Sequence, residues 1–342
     1  MLKVAVVILN WNGRDFLQRF LPSVVKSLPL YAELIIADND STDDSIAFLE
    51  KEYPDLRVVI NKDNGGYAKG YNDALKQIEA RYYVLLNSDI EVTDNWIEPI
   101  ISFMDDHKNI AACQPKIKAF HQKTHFEYAG AGGGFIDKYG YPFCRGRIFQ
   151  EVEEDKGQYD DITEVFWASG ACMFVRAEVY HDLNGLDEDF FAHMEEIDFC
   201  WRAKNEGYKI YYHPQSVVYH VGGGTLPKGN PRKTYLNFRN NFFLLFKNVE
   251  SKHLIWVFLW RLILDGVAGV KFLVDGSIKD ALAVMKAHFH FYAALGSLKK
   301  KRKILQQKEV SQIYNHNIVY DHFIKGIKVF SELKNNRFIS RK

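Results

Sequence analysis

No two cysteines of this chain lie close enough to form a Cys-x-x-Cys pair. The four (Cys113, Cys144, Cys172 and Cys200) are scattered through 342 residues, so they are expected as reduced core or near-surface residues. A membrane-spanning helix is missing as well. The most apolar stretch, residues 253–274, is interrupted by Arg261, Asp265 and Lys271 and falls short of the ~18 uninterrupted apolar residues that a span needs. The first hydrophobic run is short and strand-like, and no basic leader precedes it. A signal peptide is therefore not expected, and the chain is expected on the cytoplasmic side. No Gly-x-Gly-x-x-Gly follows that first run, which sets a dehydrogenase aside. There is no internal repeat, and low complexity is confined to the basic run at residues 299–303.

What is present is a folded, two-part chain. A hydrophobic content of 47% with 15% aromatics supports a sizeable core, and the length suits one large catalytic unit plus a smaller one. The formal net charge of +1 hides an asymmetry. Residues 1–224 carry 22 Lys and Arg against 36 Asp and Glu, a net of −14, whereas residues 225–342 carry 22 against 7, a net of +15. The composition changes near Gly222-Gly223-Gly224, so the division is expected as 1–224 and 225–342, the second part basic, aromatic-rich and helical.

Three continuous apolar runs end in polar residues. Val4-Ala5-Val6-Val7-Ile8-Leu9 leads into Asn10-Trp11-Asn12-Gly13, Leu34-Ile35-Ile36-Ala37 into Asp38-Asn39-Asp40-Ser41-Thr42-Asp43, and Tyr82-Tyr83-Val84-Leu85-Leu86 into Asn87-Ser88-Asp89. Such runs read as strands buried on both faces of a parallel sheet, with the polar groups at their carboxyl ends, where open α/β sheets bind ligands. Ser41 or Thr42 also suits a helix cap, but Asp38 sits on the strand end itself. Asn64-Gly65-Gly66-Tyr67-Ala68-Lys69-Gly70-Tyr71-Asn72 opens a helix expected to run to about Ala80. Its glycines allow close backbone approach, and its free N–H groups suit a diphosphate. Asp89 at a strand tip offers the single carboxylate that a hard cation needs beside substrate phosphates. Finally, Phe190-Phe191-Ala192-His193-Met194-Glu195-Glu196-Ile197-Asp198 sets three carboxylates within four residues. In a helix, Glu195 and Asp198 share a face and Glu196 points elsewhere. Clustered carboxylates raise one another's proton affinity, which suits a general base. The plainer alternative is an acidic first helical turn with Arg202 as the i+4 partner of Asp198.

In this order the segments resemble the inverting family-2 glycosyltransferases with the GT-A fold, closest to rhamnosyltransferase-like, non-processive members, over roughly residues 3–224. The resemblance implies an α/β, Rossmann-like nucleotide-sugar-binding sheet flanked by helices, here with a C-terminal helical extension. It places Asn10 and Asn12 beside the nucleotide and makes Asp38 and Asp40 the base- and ribose-binding aspartates. It puts Asn64, Gly65, Gly66 and Asn72 in the loop approaching the nucleotide. Asn87, Ser88 and Asp89 match the metal motif, with Asp89 as the metal carboxylate and His220 completing the site for Mg²⁺ or Mn²⁺. Ser169-Gly170-Ala171, with Trp167 before it, resembles the acceptor-side strand. Glu196 falls at the catalytic base, flanked by Glu195 and Asp198. Two departures stand out: Asn87 replaces the first acid of the metal motif, and Glu replaces the usual Asp base. The chain lacks the Gln-x-x-Arg-Trp of processive synthases, so one sugar per encounter is expected.

The implied partners are a nucleotide-diphosphate sugar and a glycan or lipid-linked acceptor, with no nucleic acid. Rhamnose on deoxythymidine diphosphate is the donor suggested by resemblance, and surface polysaccharide, O-antigen or cell-wall glycan the setting. Alternatives are a nucleotidyltransferase, which would normally carry a basic Gly-rich signature after the first strand, and a non-catalytic sugar-nucleotide-binding scaffold. For the basic tail two readings stand: helices packed on the catalytic part or on a second copy as a homodimer, and a peripheral surface on anionic lipid at the inner face of the membrane. His288 and His290 are expected as packing or surface residues, Phe190 and Phe191 beneath the base loop. The tract at residues 130–134 is expected as a flexible turn and the acidic run at residues 151–161 as a solvated loop.

Overall fold

The computed structural model describes residues 2–222 and 230–340. Gly223, Gly224 and the expected 224/225 boundary lie outside the described residues. The chain begins with alternating strands and helices: β1 (Leu2–Asn10), α1 (Arg14–Lys26), β2 (Ala32–Asp38), α2 (Ser45–Glu52), β3 (Arg57–Ile60), α3 (Gly66–Leu75), β4 (Ala80–Asn87), β5 (Ile90–Val92), α4 (Glu98–Asp106) and β6 (Ile110–Ala119). Four short strands follow: β7 (Gly134–Asp137), β8 (Pro142–Cys144), β9 (Arg147–Ile148) and β10 (Glu151–Val152). Then come β11 (Thr163–Val165), β12 (Cys172–Arg176), α5 (Ala177–Asp182), α6 (Glu195–Asn205) and β13 (Lys209–His220). The C-terminal part contains α7 (Pro231–Asn248), α8 (Ser251–Val274), α9 (Ile278–Ile304), β14 (Ile313–Tyr314) and α10 (Ile318–Phe323). Helix α3 stops at Leu75, short of the expected Ala80, because Ala80 already opens β4.

The main sheet runs β11-β13-β6-β12-β4-β1-β2-β3, with β5 paired to β13. β4, β1, β2 and β3 are mutually parallel, and β12 is antiparallel to both β4 and β6. Successive β1 residues serve two cores, as the two-residue side-chain period demands. Ala5 and Val7 join Tyr71, Leu75, Tyr180 and Phe199 on one face, whereas Val4, Val6 and Ile8 join Leu17, Leu21, Leu49, Trp96 and Ile101 on the other. A continuous apolar run is what burial on both faces requires. All four cysteines are free and buried.

A second sheet has the order β10-β9-β8-β7-β14. Its last strand comes from the C-terminal part, so packing crosses the charge boundary. The tract at residues 130–134 forms a tight corner there, not a flexible turn: a Cβ on Gly134 would stand 2.1 Å from the Trp167 ring, and Gly133 has φ +106°. The acidic run is also tied down. Asp155 bridges Lys116 and Lys118, while Asp160 and Asp161 pair with Lys116 and Arg145.

Helix α7 buries Leu236, Phe242, Phe243, Leu244 and Leu245, each contributing about 1.5–3 kcal/mol of hydrophobic transfer. It also closes a buried ionic contact. Asp198, fully buried on α6, meets Lys247 Nζ at 2.8 Å and the Asn248 amide at 2.9 Å, and its other oxygen takes Arg202 Nε at 2.7 Å. Removing the C-terminal part would strip this carboxylate of two partners, a loss on the order of 3–5 kcal/mol. A chain ending at Gly222 is therefore expected to lose cooperative thermal unfolding. A sharp melt near the full-length midpoint, followed by circular dichroism, would show that residues 2–222 fold unaided.

Candidate active site

The carboxyl ends of β1 and β2 meet in a polar cluster. Asn10, fully buried, donates from Nδ2 to Asp38 Oδ2 at 3.0 Å and to Ser41 Oγ at 3.1 Å. The other Asp38 oxygen accepts the Ser41 N–H at 2.9 Å. Asn12 adopts φ +50° and accepts the backbone N–H groups of Thr42 and Asp43 on its Oδ1. Asp40 stands exposed at the rim, also left-handed at φ +64°. Asn10 Oδ1 is buried without a protein partner. A chain of amides continues the cluster: Asn61 donates to Asn39 at 3.0 Å, Asn39 to Asn64 at 2.9 Å, and Asn64 Oδ1 accepts the Gly66 N–H at 3.0 Å.

The glycine loop is tied into the protein at the start of α3. The N–H groups at the start of α3 are already spoken for, because Tyr67 N–H donates to the Phe191 carbonyl at 2.7 Å and Gly65 N–H to Asp63. Gly66 is required for this approach: at φ +81°, a Cβ would fall 2.4 Å from the Phe191 oxygen. Asn72 is equally engaged. Its Nδ2 donates to the Leu186 carbonyl and Glu188, and its Oδ1 accepts the Tyr180 hydroxyl and the Leu186 N–H. Gly66 and Asn72 thus let α3 fasten to residues 186–191, while Asn64 ties the glycine loop to Asn39.

Asn87 ends β4 and Ser88 and Asp89 follow it, with Ser88 Oγ 3.5 Å from where a Cβ on Gly13 would stand. Asp89 Oδ1 lies 3.2 Å from His220 Nε2 at the end of β13, and Asn87 Nδ2 lies 3.4 Å from the same nitrogen. Glu127, which no sequence motif singles out, meets His220 Nδ1 at 3.1 Å. Burial alone would lower the imidazole pKa, but Asp89 and Glu127 override it and raise the group to about 10. The same ion pairs hold both carboxylates below their ordinary range against the opposing effect of burial.

The three carboxylates of α6 separate by environment. Asp198 is anchored to Arg202, Lys247 and Asn248 as described. Those cations outweigh burial and lower its pKa, so it is held as an anchored ion pair. Glu195 and Glu196 have no such cation, and each has a buried Oε2 without a protein partner. Burial raises Glu195 well above the usual carboxylate range, with the neighbouring Glu196 charge adding to it. Burial raises Glu196 to about 7, opposed by backbone N–H groups at the helix start. Both lie near Tyr67, whose hydroxyl donates to the Gly170 carbonyl at 2.6 Å, so the Ser169-Gly170-Ala171 segment faces the same region. Trp167 does not face it: its indole donates to the Phe135 carbonyl and its ring is buried.

The loop before these carboxylates is strained. Phe191, His193 and Met194 have φ of 64°, 71° and 75°. Positive φ costs roughly 1–3 kcal/mol for each such residue unless the surroundings enforce it. Enforcement comes from α7. The buried Asn240 amide donates to the carbonyls of Phe190, Ala192 and His193 at 2.9, 2.9 and 2.7 Å, and Arg239 adds bonds to Asp189 and Phe190. Nothing in the sequence pattern marks Asn240, which sits more than forty residues from the loop in an ordinary aromatic helix.

Residues 5–183, just over half of the chain, match the family described as glycosyl transferase family 2. The chain is 23% identical over 230 residues to an N-acetylglucosaminyl-diphospho-decaprenol L-rhamnosyltransferase of Mycobacterium tuberculosis, covering 63% of this chain and 75% of the relative. Among solved structures it is similar to GalNAc-T7 with UDP, GalNAc and Mn²⁺, with a TM-score of 0.57 and 17% identity over 73% of this chain and 49% of that one. It is also similar to a mannosyltransferase from Pyrobaculum calidifontis in complex with GDP-Man and Mn²⁺, with a TM-score of 0.53 and 13% identity, covering 88% and 84%. At these identities the solved structures establish the GT-A-like fold.

Asn240→Ala removes three hydrogen bonds from carbonyls of a strained loop, each worth about 0.5–1.5 kcal/mol net. The expected outcome is a melting temperature several degrees lower and faster proteolytic nicking within residues 187–194. Unchanged protection of that loop in hydrogen exchange would show that Asn240 does not hold it.

Proposed function

The chain belongs to glycosyl transferase family 2 and is a glycosyltransferase, and we propose that it moves one sugar from a nucleoside diphosphate to an acceptor hydroxyl with inversion at the anomeric carbon. The observation that carries this reading is Glu196: a half-buried carboxylate with an unpartnered oxygen and a pKa raised to about 7, as a general base near neutral pH requires. Glu196 takes the acceptor proton as the oxygen attacks. Burial, with the Glu196 charge beside it, pushes Glu195 further toward the protonated form than Glu196, which favours Glu196 for this role. Asp38, oriented by Asn10 and Ser41, supports the nucleoside from the sheet edge.

A divalent cation fits the other end of the donor. Ligands adjacent on one octahedral ion at 2.0–2.1 Å stand roughly 3 Å apart. Asp89 Oδ1 and His220 Nε2 are 3.2 Å apart as an ion pair, so a cation would have to displace the Nε2 proton, leaving Glu127 on the far ring nitrogen as the outer carboxylate that metal-bound histidines use. Among the described residues no set of three His, Cys, Asp or Glu side chains forms a closed metal site, so donor phosphate oxygens would have to complete it. Such an ion would offset the charge that grows on the departing diphosphate. The Mn²⁺ in the two solved structures supports Mg²⁺ or Mn²⁺ here.

The name of the mycobacterial relative gives L-rhamnose as its sugar and a diphosphodecaprenol-linked N-acetylglucosamine as its acceptor. Rhamnose transfer to a lipid-linked acceptor in cell-wall or surface-polysaccharide assembly is accordingly the substrate reading we favour, with the enzyme working at the inner face of the membrane.

Glu196→Gln keeps the size of the side chain but cannot take the proton, so kcat should fall about 10²-fold or more with donor affinity retained. The base must be ionised, so wild-type kcat/KM should decline as pH drops below about 7; an ordinary glutamate would hold its rate to about 4.5. Full activity at pH 5, or a fast Glu196→Gln enzyme beside an inactive Glu195→Gln enzyme, would transfer the base role elsewhere. Asp89→Ala should abolish divalent-ion dependence and weaken donor binding together, read by calorimetry with dTDP-rhamnose, UDP- and GDP-sugars with and without Mn²⁺. Wild-type turnover in EDTA would remove the cation from the scheme.

A further inference from the structure

Helix α8 is built inside out. Its buried positions are Val257, Arg261 and Asp265, a stripe at i, i+4 and i+8 that carries two charges. Arg261 and Asp265 pair at 2.9 Å, Arg261 lies 4.1 Å above the Tyr141 ring, and Asp265 is 3.3 Å from His288 Nε2. The outward face is apolar instead: Trp256 is 68% exposed and Val274 81%, with Trp260, Ile263, Val267 and Val270 between them. Leu282 and Phe289 on α9 are exposed as well. A water-facing helix places its charges outward and its apolar stripe inward. The reverse order is at rest only where the outer medium is itself apolar. A run of exposed large side chains this long marks an interaction surface.

We propose that the outer face of α8 and α9 is a docking surface for an anionic lipid bilayer, lying in the interface without crossing it. No described helix is long and apolar enough to cross a membrane, which leaves the in-plane arrangement. Charge selects lipid over a second copy of the chain. Residues 225–342 carry +15, so a symmetric dimer through this face would bring two strongly basic regions together, whereas an anionic leaflet attracts them. Exposed Lys279 and Lys286 lie along α9, and Lys252 at the start of α8 pairs with Glu250. Asp275 is paired to Lys271, and Asp280 accepts a bond from the Thr234 hydroxyl. Two of the five basic residues at 299–303 serve inside the protein: Lys301 pairs with Asp187 and Asp189, and Arg302 donates to the Phe246 carbonyl.

The same two helices are also fastened to the loop before Glu195 and Glu196. Thr234 near the start of α7 bonds to Asp280 just after the α8–α9 turn at 2.6 Å, Arg232 lies 5.1 Å over the Phe191 ring, and Lys301 of α9 pairs with Asp187 and Asp189.

The test is vesicle flotation of the full chain, without donor or acceptor, using phosphatidylcholine vesicles with and without 30% phosphatidylglycerol. Binding is expected only with the anionic lipid, reduced at least fivefold by about 0.5 M salt because screening shortens the reach of the charges. Trp256→Ser/Trp260→Ser should reduce binding at least tenfold with an unchanged melting temperature, since both rings are exposed. Lys279→Glu/Lys286→Glu should do the same through charge. No flotation on anionic vesicles at low salt would overturn the proposal. So would a wild-type dimer in sedimentation that the double Trp variant abolishes, which would assign the face to a second copy. Transfer to a soluble acceptor analogue should not change in the double Trp variant, so failure of the docking surface and failure of the glycosyltransferase reading give different results.

Discussion

The arrangement of this site depends on one amide. Asn240 lies fully buried on α7 and feeds three carbonyls of a loop in which Phe191, His193 and Met194 all hold positive φ. Carbonyls turned by such a backbone point away from any regular ladder, and buried without donors they would cost more than the strain itself. The side chain of Asn240 supplies donors where secondary structure cannot. Once the loop is fixed, the Phe191 carbonyl lies against the start of α3, and α6 begins with Glu195 and Glu196 facing Tyr67. Glu195 and Glu196 are thereby positioned by a helix from beyond the charge boundary, and the main sheet and the basic tail are packed as one structure.

The division of labour among the α6 carboxylates follows from where cations are placed. Asp198 has Arg202 and Lys247 within hydrogen-bond distance and remains ionised despite full burial. One turn earlier no cation is present, and burial pushes Glu195 and Glu196 toward the protonated form. Burial is the main cause at both, and the Glu196 charge adds to the rise at Glu195. The pKa of about 7 at Glu196 thus comes from burial without a counter-ion, with no special chemistry in the residue.

The parts of the fold legible in the sequence were those with a strong period. Continuous apolar runs at residues 4–9, 34–37 and 82–86 can only be doubly buried strands, and each became one. The strand-end cluster of Asn10, Asp38 and Asn12 was visible for the same reason, because a polar residue directly after such a run has to sit at a sheet edge. What stayed hidden were contacts made across long sequence separation by single polar side chains. Glu127 touches His220 and Asn240 touches the base loop from positions whose neighbours show no pattern. Asn72 shows the same limit: both ends of its amide are engaged by residues 180–188, partners that its motif position does not reveal. Motif position gives the neighbourhood of a side chain but not its hydrogen-bond partners.

Helix α8 misled for a related reason. Its composition fixes a mean hydropathy, and Arg261 and Asp265 look like interruptions of an apolar stretch. Only the direction of each side chain shows that these charges are the inward face and that the apolar residues are the outward one. The Arg261–Asp265 pair, closed by Tyr141 and His288, is internally neutralised, so burying it costs far less than burying either charge alone. That neutralisation is what allows a helix to turn its polar side toward the protein. The other side is then free to be apolar along its length, and the surface facing away from the catalytic sheet takes the character of a core.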